Sequence, residues 1–155
     1  MNKLYDENTL KIMKSADNTS DMGRNRIEAI RDFALDAKIQ RIGIAHCITF
    51  SREAQIMKQY LSKFFKVFTV DCKYGRLSKQ ELLGGNSPRI LCNPAGQAQY
   101  LNENNTELNI SVGLCVGHDM IFNQKSVAPV TSVFTKDFTN NNNPAQALAD
   151  ISRAI

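Results

Sequence analysis

Four cysteines, Cys47, Cys72, Cys92 and Cys115, are the only ones in 155 residues, and each falls at or just past the end of a short apolar run. The runs are Arg41-Ile-Gly-Ile-Ala-His-Cys47, Phe65-Lys-Val-Phe-Thr-Val-Asp-Cys72, Arg89-Ile-Leu-Cys92 and Ile110-Ser-Val-Gly-Leu-Cys115. Read as strands of an α/β sheet, all four deliver a thiol to the carboxyl edge, where ligands of open α/β sheets bind. Thiolates are soft ligands that select zinc, copper(I) or iron–sulfur clusters, and they are nucleophiles. The separations are 25, 20 and 23 residues, each about one βα unit, and no Cys-x-x-Cys pair of a zinc knuckle occurs. A site assembled from dispersed strand ends is held by the whole fold, which suits function better than a folding staple.

Both histidines adjoin a cysteine, His46 directly before Cys47 and His118 three residues after Cys115. Neighbours along a strand face opposite sides, so His46 reads as a packing residue beside the site. Cys115-Val-Gly-His-Asp119 reads as a turn into a helix, where backbone amides and the helix dipole favour a thiolate. His118 joins the four cysteines as a candidate metal ligand, and Asp119 reads as a first-turn carboxylate. Cys92-Asn-Pro repeats the arrangement of a thiol before a helix start. Asn93 and Gly117, at those two helix starts, are the candidate cofactor-binding residues.

These residues need elements to position them. Residues 1–22 read as an amino-terminal extension: a weakly amphipathic helix over 4–15, then a loop over 16–23. The α/β domain occupies 23–155. A helix spans 24–37, with Ile27, Ile30, Ala34 and Leu35 at helical spacing. Strands over 41–46, 65–71, 89–92, 108–114 and 129–135 then alternate with helices. Ser51 caps a helix over 51–63, Ser78 a short helix to Leu83, and Asn93 with Pro94 opens the helix 94–103. Asn143 and Pro144 open the last helix after the polar run Asn140–Asn143. The alternation predicts a single domain with five mostly parallel strands and helices on both faces, Rossmann- or flavodoxin-like. The strands are continuous apolar runs, as in sheets covered on both faces.

Neighbouring parallel strands lie about 4.8 Å apart. Of the two common strand orders, 2-1-3-4-5 lines the thiols up as Cys72, Cys47, Cys92, Cys115, and 3-2-1-4-5 as Cys92, Cys72, Cys47, Cys115. The outermost pair then stands about 14 Å apart unless loops curl inward. Cys47 and Cys72 are neighbours in either order, so the expectation is two or three thiolates centred on Cys47.

The chain is 43% hydrophobic and 22% charged, with net charge +4. Residues 1–89 carry 16 basic and 10 acidic residues, and residues 90–155 carry 3 and 5. The lysines are dispersed, so nucleic acid is not an expected partner, while a small molecule is. No apolar stretch reaches membrane-span length and no secretory signal opens the chain. The expected location is the cytoplasm, where the thiols stay reduced. No Gly-x-Gly-x-x-Gly, no phosphate-binding Gly-x-x-x-x-Gly-Lys-[Ser/Thr] and no His-Glu-x-x-His motif is present.

Larger motifs carry a family resemblance. Asn25-Arg-Ile-Glu, Ile42-Gly-Ile-Ala-His-Cys47, Ser51-Arg-Glu-Ala, Cys72-Lys-Tyr-Gly75 and Cys92-Asn-Pro-Ala-Gly-Gln97 belong to it. So do Leu101-Asn, Thr106-Glu-Leu-Asn-Ile, Gly113-Leu-Cys-Val-Gly-His-Asp-Met120 and Ala128-Pro-Val-Thr131. Over roughly residues 22–149 the chain resembles a bacterial and archaeal family of predicted cysteine-rich metal-binding proteins of unknown function. The resemblance implies a metal site at Cys47, Cys72, Cys92 and Cys115, with His118 nearby. The family pattern includes a further amino-terminal segment with cysteine, and residues 1–22 contain none. Three functions follow as expectations. The first is a zinc or iron–sulfur protein with its site at the carboxyl edge, acting on or sensing a small molecule. The second is a metal-free thiol enzyme or sulfur carrier, and the third a non-catalytic interaction or regulatory module. Enzymatic activity is left open.

Overall fold

In the computed structural model, which describes residues 4–153, four of the five apolar runs form strands. They are β1 (Arg41–His46), β2 (Lys66–Asp71), β3 (Leu108–Val112) and β4 (Val130–Phe134). All pair in parallel, in the order β2-β1-β3-β4. Among the described residues, seven α-helices accompany them: α1 (Glu7–Asn18), α2 (Arg26–Asp36), α3 (Ser51–Leu61), α4 (Lys79–Leu83), α5 (Pro94–Glu103), α6 (Val116–Lys125) and α7 (Pro144–Ser152).

The alternation of strand side chains divides the core in two. Ile42, Ile44, Ile110 and Val112 pack against Ile30 and Ala34 of α2 and Ala54, Met57 and Leu61 of α3. Ala45 and Val70 pack against Ala98 and Leu101 of α5 and Phe122 of α6. Fully buried side chains such as Leu61 and Leu101 each contribute about 1.5–3 kcal/mol of transfer free energy. Gly43 lets α5 approach the sheet, because a Cβ there would collide with Asn109 Oδ1 and the Leu101 methyls.

The expectation of five strands is corrected to four. Residues 89–92 make one antiparallel bridge, Ser78 with Ile90, and join no sheet. Their backbone bonds run instead to the segment after β2. Lys79 N donates to Arg89 O at 2.8 Å, Leu91 N to Leu77 O at 2.9 Å and Asn93 N to Cys72 O at 2.8 Å. The run is short and lies between Pro88 and Pro94, neither of which can donate to a ladder.

Several boundaries also move. Asp6 caps α1 through Thr9 N, and the helix continues to Asn18, into the segment expected to be a loop. Ser51 is the first residue of α3 rather than its cap. A 3-10 turn, Ile48–Phe50, precedes it, and the Ser51 hydroxyl donates to Ile48 O. Ser78 and Glu81 form a reciprocal capping box on α4, and Asn93 Oδ1 accepts from Gly96 N at the start of α5. Asn143 stands at the cap position of α7 without a side-chain cap bond.

Candidate thiol site

The chain runs from β1 out to β2 and then returns across the sheet to β3. The reversal makes β1 and β3 the switch point of the sheet, and α/β sheets of this order bind ligands at the carboxyl edge there. Cys47 and Cys115 follow those two strands. Cys47 extends β1 by one residue, its N–H donating to Val112 O at 3.1 Å, and its carbonyl then accepts from Phe50 N at 2.9 Å to begin the 3-10 turn. Cys115 is the N-cap residue of α6, two residues past the left-handed Gly113. Cys72 leaves β2 one strand away, and the Asn93 N to Cys72 O bond brings the preceding Cys92 alongside it.

The thiols meet in two groups. Cys72 Sγ and Cys92 Sγ are 3.6 Å apart, and Ile48 N donates to Cys72 Sγ at 3.4 Å. Lys136 Nζ donates to Cys47 Sγ at 2.9 Å, and the Cys115 sulfur also acts on its charge. Thr49 Oγ1 is 3.5 Å from Cys47 Sγ. A second ammonium, Lys73 Nζ, stands 3.6 Å from Cys92 Sγ and donates to Ile90 O at 3.0 Å. The thiols therefore follow the order Cys92, Cys72, Cys47, Cys115. The closest pair is centred on Cys72, not on Cys47 as the strand orders suggested.

The electrostatics of the two groups differ. Burial pushes the Cys72 thiol up to about 12, and the neighbouring Cys92 and Cys47 add to the effect. Burial also opposes ionisation of Cys47, but the Lys136 ammonium and the Thr49 bonds outweigh it and hold this thiol below its ordinary value. For Lys136, burial works against the charge, and the sulfurs of Cys47 and Cys115 more than offset that, holding it above the usual lysine range. His118, half-buried at the start of α6, is lowered by burial and then by the positive charges of Lys136 and Lys73. Both ammoniums thus act on the His118 ring.

The remaining predicted residues sit around this cluster. Asn93 is engaged at both ends of its amide: Oδ1 accepts from Gly96 N, and Nδ2 donates to Tyr74 O at 3.2 Å. Gly117 is exposed in the first turn of α6, with open space where a Cβ would project. That helix has no side-chain cap, so its first amides face water or a ligand. His46 is buried, with Nδ1 3.0 Å from Cys47 O. Asp119 Oδ1 is buried without a protein partner.

Sequence reasoning missed Lys73, Lys136 and Gln97. Lys73 follows Cys72 directly, and Lys136 follows the end of β4 as the cysteines follow their strands, so the same edge argument reaches both. Gln97 is fully buried on α5, and its Nε2 donates to His46 O at 3.1 Å and Val70 O at 3.0 Å, clamping the ends of β1 and β2. Its helical position reads as an ordinary core face, so only the tertiary structure reveals it.

The donor chemistry matches a soft ion in part. Two thiolates bound to one tetrahedral zinc at about 2.3 Å stand about 3.8 Å apart, close to the 3.6 Å between Cys72 and Cys92. Among the described residues, however, no three His, Cys, Asp or Glu side chains are arranged as a ready-made metal group. The group in contact with Cys47 Sγ is the Lys136 ammonium rather than a further sulfur.

Fold and site together define a parallel α/β domain with a cysteine–lysine cluster at the carboxyl edge of its sheet. The chain belongs to the family described as "Protein of unknown function (DUF1847)", whose model matches residues 1–133. It is 40% identical over 131 residues to the uncharacterized protein MJ0455 of Methanocaldococcus jannaschii, covering 82% of this chain and 68% of that one. Neither description names a cofactor. No solved structure matches the chain. No helix among the described residues is long and apolar enough to cross a membrane.

Proposed function

We propose that the protein binds a soft metal centre, zinc or an iron–sulfur cluster, through Cys72, Cys92, Cys47 and Cys115, and acts on or senses a small molecule there. The observation that carries this is the Cys72–Cys92 pair at ligand spacing, with Cys47 and Cys115 delivered to the same edge by β1 and by the turn after β3. Charge supports it. Four thiolates with the Lys73 and Lys136 ammoniums leave a net charge of −2, which a dicationic centre neutralises in a partly buried site. His118 is the candidate fifth donor, and Asn93 and Gly117 bracket the site from the starts of α5 and α6. A bound centre would supply Lewis-acid or electron-transfer chemistry. The chain's own groups would hold it, and the two lysines would keep an anionic ligand nearby. A cytoplasmic location, where thiols remain reduced, agrees with this reading.

The test is elemental analysis and an absorption spectrum on tag-free protein purified without oxygen, then reconstituted with zinc, or with iron and sulfide. About one equivalent of zinc or a brown chromophore is expected. Cys72→Ser and Cys92→Ser should lose it, and changes in metal-free stability should stay below about 2 kcal/mol. Less than about a tenth of an equivalent after reconstitution overturns the reading.

The Cys47–Lys136 contact favours a second reading, metal-free thiol chemistry with Cys47 as nucleophile. Under it, alkylation of Cys47 abolishes function in protein that holds no metal.

A further inference from the structure

The geometry points to a reversible disulfide between Cys72 and Cys92, formed by a hydroperoxide, that withdraws both thiols from the ion. The disulfide stands on geometry alone, and its effect on the ion rests on the metal reading above. The two sulfurs are 3.6 Å apart and a disulfide bond is about 2.0 Å, so they must close by about 1.6 Å. Both residues lie outside regular elements, Cys72 just past β2 and Cys92 in the connection before α5. Their backbones are already joined through Asn93 N and Cys72 O at 2.8 Å. Side-chain rotation therefore closes the gap without moving a strand. The Cys47 sulfur is engaged instead by Lys136 and Thr49.

Access sets the order of events. Cys72 is 2% exposed and Cys92 is half-buried, so an incoming hydroperoxide meets Cys92 first. The Cys92 sulfur attacks the peroxide, the O–O bond breaks, and one oxygen stays on sulfur as a sulfenic acid. The other oxygen leaves as an alcohol or water carrying the thiol proton, with the Lys73 ammonium, 3.6 Å from the sulfur, stabilising the charge that develops on it. The Cys72 sulfur then attacks Cys92, the S–S bond forms and the S–O bond breaks. The oxygen departs as water with the Cys72 proton. Two thiols are oxidised by two electrons and one hydroperoxide is reduced.

The experiment treats reduced, metal-free full-length protein with stoichiometric hydrogen peroxide and maps its disulfides by mass spectrometry. A mass loss of about 2 Da, a single Cys72–Cys92 link, and a fall from four alkylatable thiols to two are expected. Cys72→Ser should instead trap a sulfenic acid at Cys92, and Cys47→Ser should still form the link. Oxidised protein should take up no zinc, and thiol reductant should restore uptake. A link between any other pair, or only intermolecular links, overturns the disulfide. A correct link in protein that never binds zinc, even when reduced, overturns the metal reading and leaves the disulfide standing. Equal zinc uptake by oxidised and reduced protein overturns the switch.

Discussion

The ammonium of Lys136 lies 2.9 Å from the sulfur of Cys47, although 89 residues of chain separate them. One arrives from the end of β1 and the other from just past the end of β4, and β3 lies between the two strands. The contact places a positive charge at the carboxyl edge where the sheet order reverses. It also holds the Cys47 thiol below its ordinary value, whereas burial pushes that of Cys72 up to about 12.

Removing that charge tests the assignment. In Lys136→Met the opposing burial of Cys47 is no longer outweighed, so its thiolate should appear at higher pH than in the parent. Lys136→Arg should restore the parent behaviour in part. The measurement is a pH titration of thiolate ultraviolet absorbance on reduced, metal-free protein. Coincident curves for parent and Lys136→Met would remove Lys136 from the site.

The raised Cys72 thiol predicts a loss of stability in alkali. Its folded value, about 12, lies above the ordinary thiol value of 9.0. A raised group stabilises fully below the unfolded value, and that contribution is lost as pH climbs toward the folded one. The loss is at most about 1.4 kcal/mol per pH unit. The urea midpoint of reduced, metal-free protein should therefore fall more steeply between about pH 9 and pH 11 in the parent than in Cys72→Ser. Cys47 has the opposite sign: its contribution is present above the ordinary thiol value and is lost as pH falls through its depressed folded value. Parallel curves for parent and Cys72→Ser would contradict the burial of Cys72.

Gly113 is predicted to be intolerant of a side chain. Its φ is +61°, and a Cβ there would collide with the Phe50 ring, which meets Phe134 edge-on at 4.9 Å between centroids. Gly113→Ala should cost more than about 2 kcal/mol, from backbone strain plus displacement of that ring. Because Gly113 joins β3 to Cys115, the variant should also weaken the metal uptake proposed above, if Cys115 is a ligand. A denaturant curve within about 0.5 kcal/mol of the parent would show that the turn can relax.

Gln97 should matter to stability more than its neutral side chain suggests. Gln97→Leu leaves His46 O and Val70 O without their side-chain donor in a fully buried position, at an expected cost of about 1–3 kcal/mol. The accompanying loss of the partnerless Oε1 offsets part of this. Thermal and urea unfolding measure the balance, and an unchanged midpoint would mean that water reaches those carbonyls.

The amino-acid sequence by itself determined the class of fold, four of the strands, and the edge to which the thiols are delivered. These follow from local signals: apolar runs long enough to cross a covered sheet, caps such as Ser78 and Asn93, and the position of each cysteine at a run's end. Tertiary structure decided what those signals leave open. It turned residues 89–92 into a loop, because backbone donors and acceptors there found partners after β2 rather than in the sheet. It chose Cys72–Cys92 as the closest pair, since strand order and loop path fix sulfur distances and neither is encoded in spacing. It also brought Lys136 to Cys47 and left Gln97 clamping β1 to β2, contacts between segments far apart in the chain. Periodicity and capping act over a few residues, whereas the charge and burial that tune a thiol come from whatever the closed fold sets beside it.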